Sequence, residues 1–335
     1  MNARTLPRPV VSPVADAIHM QLGAAAANSQ PNLLTAAMVT AAQRLPLLDE
    51  PRRAYSLEEA DAYCRTMYSR RLGRGGNLPW FLLLPRMTER PHLLAIAVFA
   101  RCAEGFVSDP SYSGKRPLAL DAWEHELMRA YHGDADHPVF VALRDAIDLC
   151  KLPLTPCLDF LTSCRRDLHR APFFSFQSLR DYCRQRSESF GQLALHLLGH
   201  RDPALLRYAA DFHTGMQLVN FLQDLSLDLP HNRCFLPVED LYHFGISDSD
   251  LAALCGGAAL DDGATRAWRD LLAFQAMRAR SILLRGRPLV EILASDLRGY
   301  VQSAYRIASA LLSEIEMLGP LSLRVRPQLS EPHTF

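Results

Sequence analysis

From Ser56 to Leu318 the chain carries helix periodicity almost without interruption, and its helix breakers fall between the periodic stretches. Pro153, Pro172, Gly199, Pro230 and Gly286 mark such joints. Period-two alternation bounded by turns is almost absent, and Cys234-Phe235-Leu236 is too short to matter as a strand. A chain patterned this way buries its apolar faces by packing helix on helix, which predicts an all-α bundle. The spacing predicts helices over 56–69, 90–107, 117–131, 137–150, 155–170, 175–199, 202–228, 237–245, 262–284 and 288–318. Ser56-Leu57-Glu58-Glu59 reads as a capping box, and Asp109-Pro110 ends the second helix.

With 335 residues, 49% of them hydrophobic, the chain is long enough for one large core. We assign that core to residues 51–318. Residues 1–50, rich in Ala, Pro and Asn, read as a poorly ordered extension, and the proline-bearing tail, 319–335, as a loose end. Lys and Arg number 36 against 36 Asp and Glu, a balance that points away from nucleic acid and from an anionic membrane. Eight scattered cysteines without a C-x-x-C pair suggest reduced core thiols in a cytoplasmic protein. No secretory signal and no uninterrupted apolar run of membrane-spanning length is present, so the expected membrane contact is at most peripheral.

One stretch stands out chemically. Gln217, Asn220, Asp224 and Asp228 are spaced three, four and four, which on a helix places them in one row. The residues between them are mainly apolar. A polar row on an otherwise apolar helix faces water, a partner or a ligand, because an unpaired buried carboxylate is costly. Two carboxylates and an amide oxygen suit Mg2+ shared with substrate phosphate oxygens. Spacing alone is equally consistent with a solvated helix face.

Four passages shift that balance by resemblance. They are Arg90-Pro91-His92-Leu93-Leu94-Ala95-Ile96 with Phe99-Ala100-Arg101; Tyr182-Cys183-Arg184 with Gly191, then Leu195 to Gly199 and Arg201-Asp202-Pro203; the Gln217 to Asp228 row; and Asn232-Arg233-Cys234-Phe235-Leu236-Pro237 with Glu239-Asp240-Leu241 and Phe244-Gly245. In order and spacing they resemble the squalene/phytoene synthase family from about Asn77 to Glu316, closest to its bacterial hopanoid-type squalene synthases. The resemblance implies an isoprenoid-synthase helical bundle around a central cavity. It implies that Asn220, Asp224 and Asp228 bind diphosphate through Mg2+, with Gln217 beside them, and that Arg233 contacts phosphate. Asp167 falls where the family has an acidic residue lining the cavity; a local salt bridge with Arg165 or Arg170 is the other reading.

The family's first acidic motif, two adjacent aspartates and a third three residues on, is degenerate here. Its place reads Ala103-Glu104-Gly105-Phe106-Val107-Ser108-Asp109. Glu104 can stand for the first aspartate, as a metal ligand or as a general base, or be a solvated helix-end carboxylate. Gly105 has no side chain to ligate with. The segment after Asn77 has become Leu78-Pro79-Trp80-Phe81-Leu82. Trp80, Phe81 and Phe106 are either ordinary core or rings that stack on a flat acceptor.

One intact cluster suits one allylic diphosphate and an acceptor that carries none. This favours a Mg2+-dependent transferase moving a prenyl group onto a hydrophobic, aromatic acceptor in secondary metabolism. The overall likeness instead favours a hopanoid-type squalene synthase acting on farnesyl or presqualene diphosphate. A non-catalytic pseudo-synthase is the third reading, and a complete Gln217–Asp228 row with Arg233 argues against it.

Overall fold

The computed structural model describes residues 53–72, 90–293 and 295–329. The extension read over 1–50, and Trp80 and Phe81, lie outside these. The described residues are all-α, with no strand among them. In chain order the helices are α1 (Leu57–Leu72), α2 (Pro91–Ser108), α3 (Arg116–Tyr131), α4 (Pro138–Cys150), α5 (Leu154–His169), α6 (Phe176–Cys183), α7 (Ser189–Leu197), α8 (Pro203–Gln223), α9 (Leu225–Asp228), α10 (Val238–His243), α11 (Asp248–Cys255), α12 (Asp262–Arg285), α13 (Leu289–Ile292) and α14 (Ser295–Leu318).

The helix ends follow their sequence signals. Ser56 and Glu59 exchange the two bonds of a capping box, Glu59 Oε2 accepting from Ser56 N at 2.8 Å and Ser56 Oγ from Glu59 N at 3.2 Å. Asp261 Oδ1 accepts from Ala264 N at 2.7 Å and caps α12, so the Asp261-Asp262 pair serves a helix start. Four helices carry Pro at their first or second position, where its missing N–H costs nothing.

α2 is apolar on nearly every side, and such a helix belongs in the middle of a bundle. It is the one described helix long and apolar enough to cross a membrane, and 67% of its apolar window is buried inside the protein. Phe99 and Phe106 on α2 pack against Trp123 of α3, with ring centroids 6.1 Å and 5.4 Å away, and the Trp123 Nε1 donates to Phe99 O at 3.2 Å. Phe140 of α4 closes the cluster at 4.5 Å from Trp123. Truncating a ring of this kind to Ala costs about 3–5 kcal/mol.

On the other side α8 lies along α12, at a distance that only glycine permits. A methyl on Gly215 would come within 2.6 Å of Leu283 Cγ, and one on Gly286 within 2.7 Å of Phe212 N. Gly191 on α7 likewise makes room for the ring of His213, whose Nε2 would sit 2.6 Å from an added methyl. Desolvation there pushes the His213 pKa down to about 4, so this half-buried histidine is neutral near pH 7.

Five expectations need correction. The helix expected over 288–318 is split into α13 and α14, with Leu293 extended after α13. The helix expected over 175–199 is interrupted by a π turn, Arg184–Glu188, between α6 and α7. The helix expected over 202–228 ends at Gln223, because Leu227 N reaches back only three residues, to Asp224 O, at 2.9 Å. α11 was unforeseen, although Ser247 and Asp250 form its capping box. Finally, the tail is no loose end through residue 329: Gly319–Leu323 forms a 3-10 turn with Ser322 and Leu323 buried, and Pro327 is buried beyond it.

Candidate active site

The acidic row survives the break in its helix. Asp224 N bonds Asn220 O at 3.0 Å and Asp228 N bonds Asp224 O at 2.9 Å, so one helical turn separates each side chain from the next. Asn220 and Asp224 are buried, at 7% and 3% exposure. Gln217 precedes them on α8 and is partly exposed.

Asp228 is the informative member. Its Oδ2 is buried and has no hydrogen-bond partner. Desolvation pushes its pKa from 3.8 up to about 6; Arg233 opposes the shift, and the charges of Asp224 and Asp167 add to it. An orphaned, desolvated carboxylate oxygen beside a second carboxylate is chemistry that a bound cation would satisfy. Among the described residues no three His, Cys, Asp or Glu side chains converge on one point. The row therefore offers two carboxylates and an amide, which fits a metal whose other ligands are waters and substrate oxygens.

Two guanidinium groups flank the row. Arg233 lies 3.8 Å from Asp228 Oδ1 and over the ring of Phe235 at 5.4 Å. Arg326, from the tail, donates from Nε to Asp224 Oδ1 at 2.6 Å. Gln223 Nε2 donates to Pro327 O at 3.0 Å and pins the tail beside the row. Proline content had pointed to looseness, so Arg326 went unrecognised; the only signal was the pair Arg324 and Arg326 on an otherwise apolar segment.

The second group of carboxylates is arranged differently. Asp167 on α5 accepts from Tyr182 Oη at 2.8 Å through Oδ1, and from Arg186 Nη1 at 3.0 Å through Oδ2. Glu104 on α2 accepts from Arg186 Nη2 at 2.9 Å through Oε1, and from Arg101 Nη1 at 2.8 Å through Oε2. Glu104 is thus neither an open ligand nor a free base, since both oxygens already accept from guanidinium groups. Asp167 does not pair with Arg165 or Arg170 as the local alternative had it; Arg165 pairs with Asp121 and Glu124, and Arg170 donates to His231 O.

Arg186 was not singled out from the sequence. It stands on the π turn, a widening that recurs at functional sites. Burial works against its charge, but Tyr182, Asp167 and Glu104 outweigh that and hold its pKa well above the ordinary arginine value.

Phe106 is corrected. It is fully buried, edge-on to Tyr112 at 5.0 Å and to Trp123, and so has no face to offer an acceptor. Other rings connect the two carboxylate groups: Phe221, next to Asn220, stacks on Phe235 at 4.0 Å, and Phe235 lies 6.0 Å from Tyr182.

The chain matches the squalene/phytoene synthase family over residues 78–333. It is 29% identical over 247 residues to phytoene synthase of Arthrospira platensis, spanning 70% of this chain and 77% of that one. It is 28% identical over 276 residues to 15-cis-phytoene synthase of Synechocystis sp., spanning 78% of each. Squalene synthase HpnC from Alicyclobacillus acidocaldarius superposes with a TM-score of 0.69 at 29% identity, over 78% of this chain and 95% of that one. A dehydrosqualene synthase crystallised with ligand superposes at 0.67 and 21% identity, over 83% and 92%, a likeness of fold. The helical bundle, the acidic row on α8–α9 and a family match over most of the chain agree: this protein is a prenyltransferase belonging to the squalene/phytoene synthase family.

Proposed function

We propose that the protein ionises one allylic prenyl diphosphate at Asn220, Asp224 and Asp228, with Mg2+, and passes the prenyl group to a non-isoprenoid, aromatic acceptor. The observation that supports this is an asymmetry between carboxylates. Asp228 keeps a buried oxygen without a partner, whereas both oxygens of Glu104 and both of Asp167 already accept from Arg101, Arg186 or Tyr182. Two open clusters suit two diphosphates; one suits one.

Magnesium, when bound, would screen the diphosphate and stabilise the charge that builds on the leaving oxygen. The chain's own residues do the rest. Asn220, Asp224 and Asp228 would hold the ion. Arg233 and Arg326, each beside one carboxylate, are the cations that would meet phosphate oxygens. A neutral aromatic nucleophile needs no metal of its own, so it fits a wall without open carboxylates; the ring proton it loses would pass to the released diphosphate, a basic leaving group.

The likeness to phytoene and squalene synthases favours a second reading, head-to-head coupling of two prenyl diphosphates. One assay separates them. Purified protein and Mg2+ are incubated with dimethylallyl, geranyl or farnesyl diphosphate, with and without an aromatic extract of the producing cell. Acceptor-dependent diphosphate release and a prenylated aromatic product are expected. A head-to-head hydrocarbon from prenyl diphosphate alone establishes the second reading instead, and no diphosphate release in any arm means a non-catalytic protein.

A further inference from the structure

Glu104 and Asp167 come from different helices, α2 and α5, and meet on one side chain. Arg186 Nη2 lies 2.9 Å from Glu104 Oε1, and Nη1 lies 3.0 Å from Asp167 Oδ2. Two carboxylates facing each other across a narrow gap are what a bridging divalent cation requires. Here a guanidinium fills the gap. It is packed in place rather than draped over the surface: its side chain is 18% exposed, it lies over the rings of Phe160 at 5.6 Å and Tyr182 at 5.9 Å, and Nη1 approaches Cys164 Sγ at 3.9 Å. Tyr182 and Arg101 take the two carboxylate oxygens that Arg186 leaves. Two guanidinium groups thus stand against two carboxylates, and no oxygen of either acid is left without a donor.

We infer that Arg186 is a resident cation occupying the position of a metal, which neutralises Glu104 and Asp167 and confines divalent ions and diphosphate to the Asp224–Asp228 side. A metal here would depend on a diphosphate to complete its coordination, whereas a guanidinium is carried by the chain. The wall is therefore charge-balanced before any substrate arrives and stays so with an acceptor that has no phosphate. The two sides still share a field, since the charge of Asp167 adds to the upward shift of Asp228. The inference rests on the one-cluster reading proposed above and deepens it, by making Arg186 a positioning residue that sets how many metals the site takes.

The test counts Mn2+ per chain by electron paramagnetic resonance, on the full-length protein with inorganic pyrophosphate as the second component. Arg186→Met removes the charge and frees both acids, and is expected to add about one Mn2+ per chain relative to wild type. Combining it with Glu104→Gln is expected to remove that gain. An unchanged count in Arg186→Met, with wild-type circular dichroism, overturns the inference. If Arg186→Met does not fold, Glu104→Gln alone decides: the wild-type count supports the inference, and a loss of about one Mn2+ overturns it. Asp224→Asn reports separately on the one-cluster reading. If it leaves the wild-type Mn2+ bound, that reading fails, while the comparison of Arg186 variants keeps its meaning.

Discussion

The two acidic walls of this protein are built from the same chemistry and left in opposite states. On the α8–α9 side, Asp228 holds a buried oxygen that nothing satisfies, and its neighbour Asp224 is met by one arginine from the tail. On the α2–α5 side, Glu104 and Asp167 are saturated by Arg101, Arg186 and Tyr182. The difference teaches that counting carboxylates does not count metal sites. A carboxylate closed by guanidinium groups is part of the scaffold, whereas one left short of donors is the kind that the proposed metal would satisfy.

The hardest blow to this contrast is Asp224→Asn. It removes a charge from the open wall and is expected to cost on the order of 10²–10³-fold in Mg2+-dependent turnover, read as diphosphate release. Turnover within a few-fold of wild type would mean that the row is not where the metal works.

Arg326→Gln acts on the same wall from the tail. It removes the cation that holds Asp224, so Mg2+ affinity measured without diphosphate is expected to rise by about tenfold while prenyl diphosphate binding weakens. Titration calorimetry reads both, and a fall in Mg2+ affinity would show that Arg326 organises the row instead of competing for it.

The pH dependence sharpens the contrast further. Asp228, with a pKa near 6 in the metal-free fold, must lose a proton to take a metal, so Mg2+ affinity is expected to fall roughly tenfold per pH unit below about 6. The sign for stability is opposite. Because its folded-state pKa is raised from 3.8, the metal-free protein loses stability as pH rises from 3.8 through about 6, and Asp228→Asn removes that loss. Thermal melts across that range, with and without Mg2+, check both.

A smaller effect belongs to Phe106, which lies behind the saturated wall. Phe106→Leu is expected to lower stability by about 1–2 kcal/mol through lost packing on Trp123 and Tyr112, with little change in KM for any acceptor. A large KM change without destabilisation would return Phe106 to the acceptor site.

Much of this was legible in the sequence. Helix class and most boundaries follow from periodicity and caps, as at Ser56 and Asp261, because these signals are local. The Asn220–Asp224–Asp228 row was legible for the same reason: its members sit one turn apart on one segment. What escaped depends on chain separation. Glu104 and Arg186 are 82 residues apart, and Asp224 and Arg326 are 102 apart, so nothing in the local pattern announces either pair. The π turn that carries Arg186 and the tail turn that delivers Arg326 both look like ordinary segments until packing selects them. Phe106 stayed open between core and acceptor site because an aromatic beside a degenerate motif looks the same whether it faces the cavity or the core.

The claim that one wall holds metal and the other holds arginine is tested most directly by anomalous diffraction. Crystals are soaked with Mn2+ and a non-ionising prenyl thiodiphosphate. The account predicts Mn2+ peaks against Asp224 and Asp228, with Arg186 still bridging Glu104 and Asp167. A peak against Glu104, with Arg186 displaced, would contradict it.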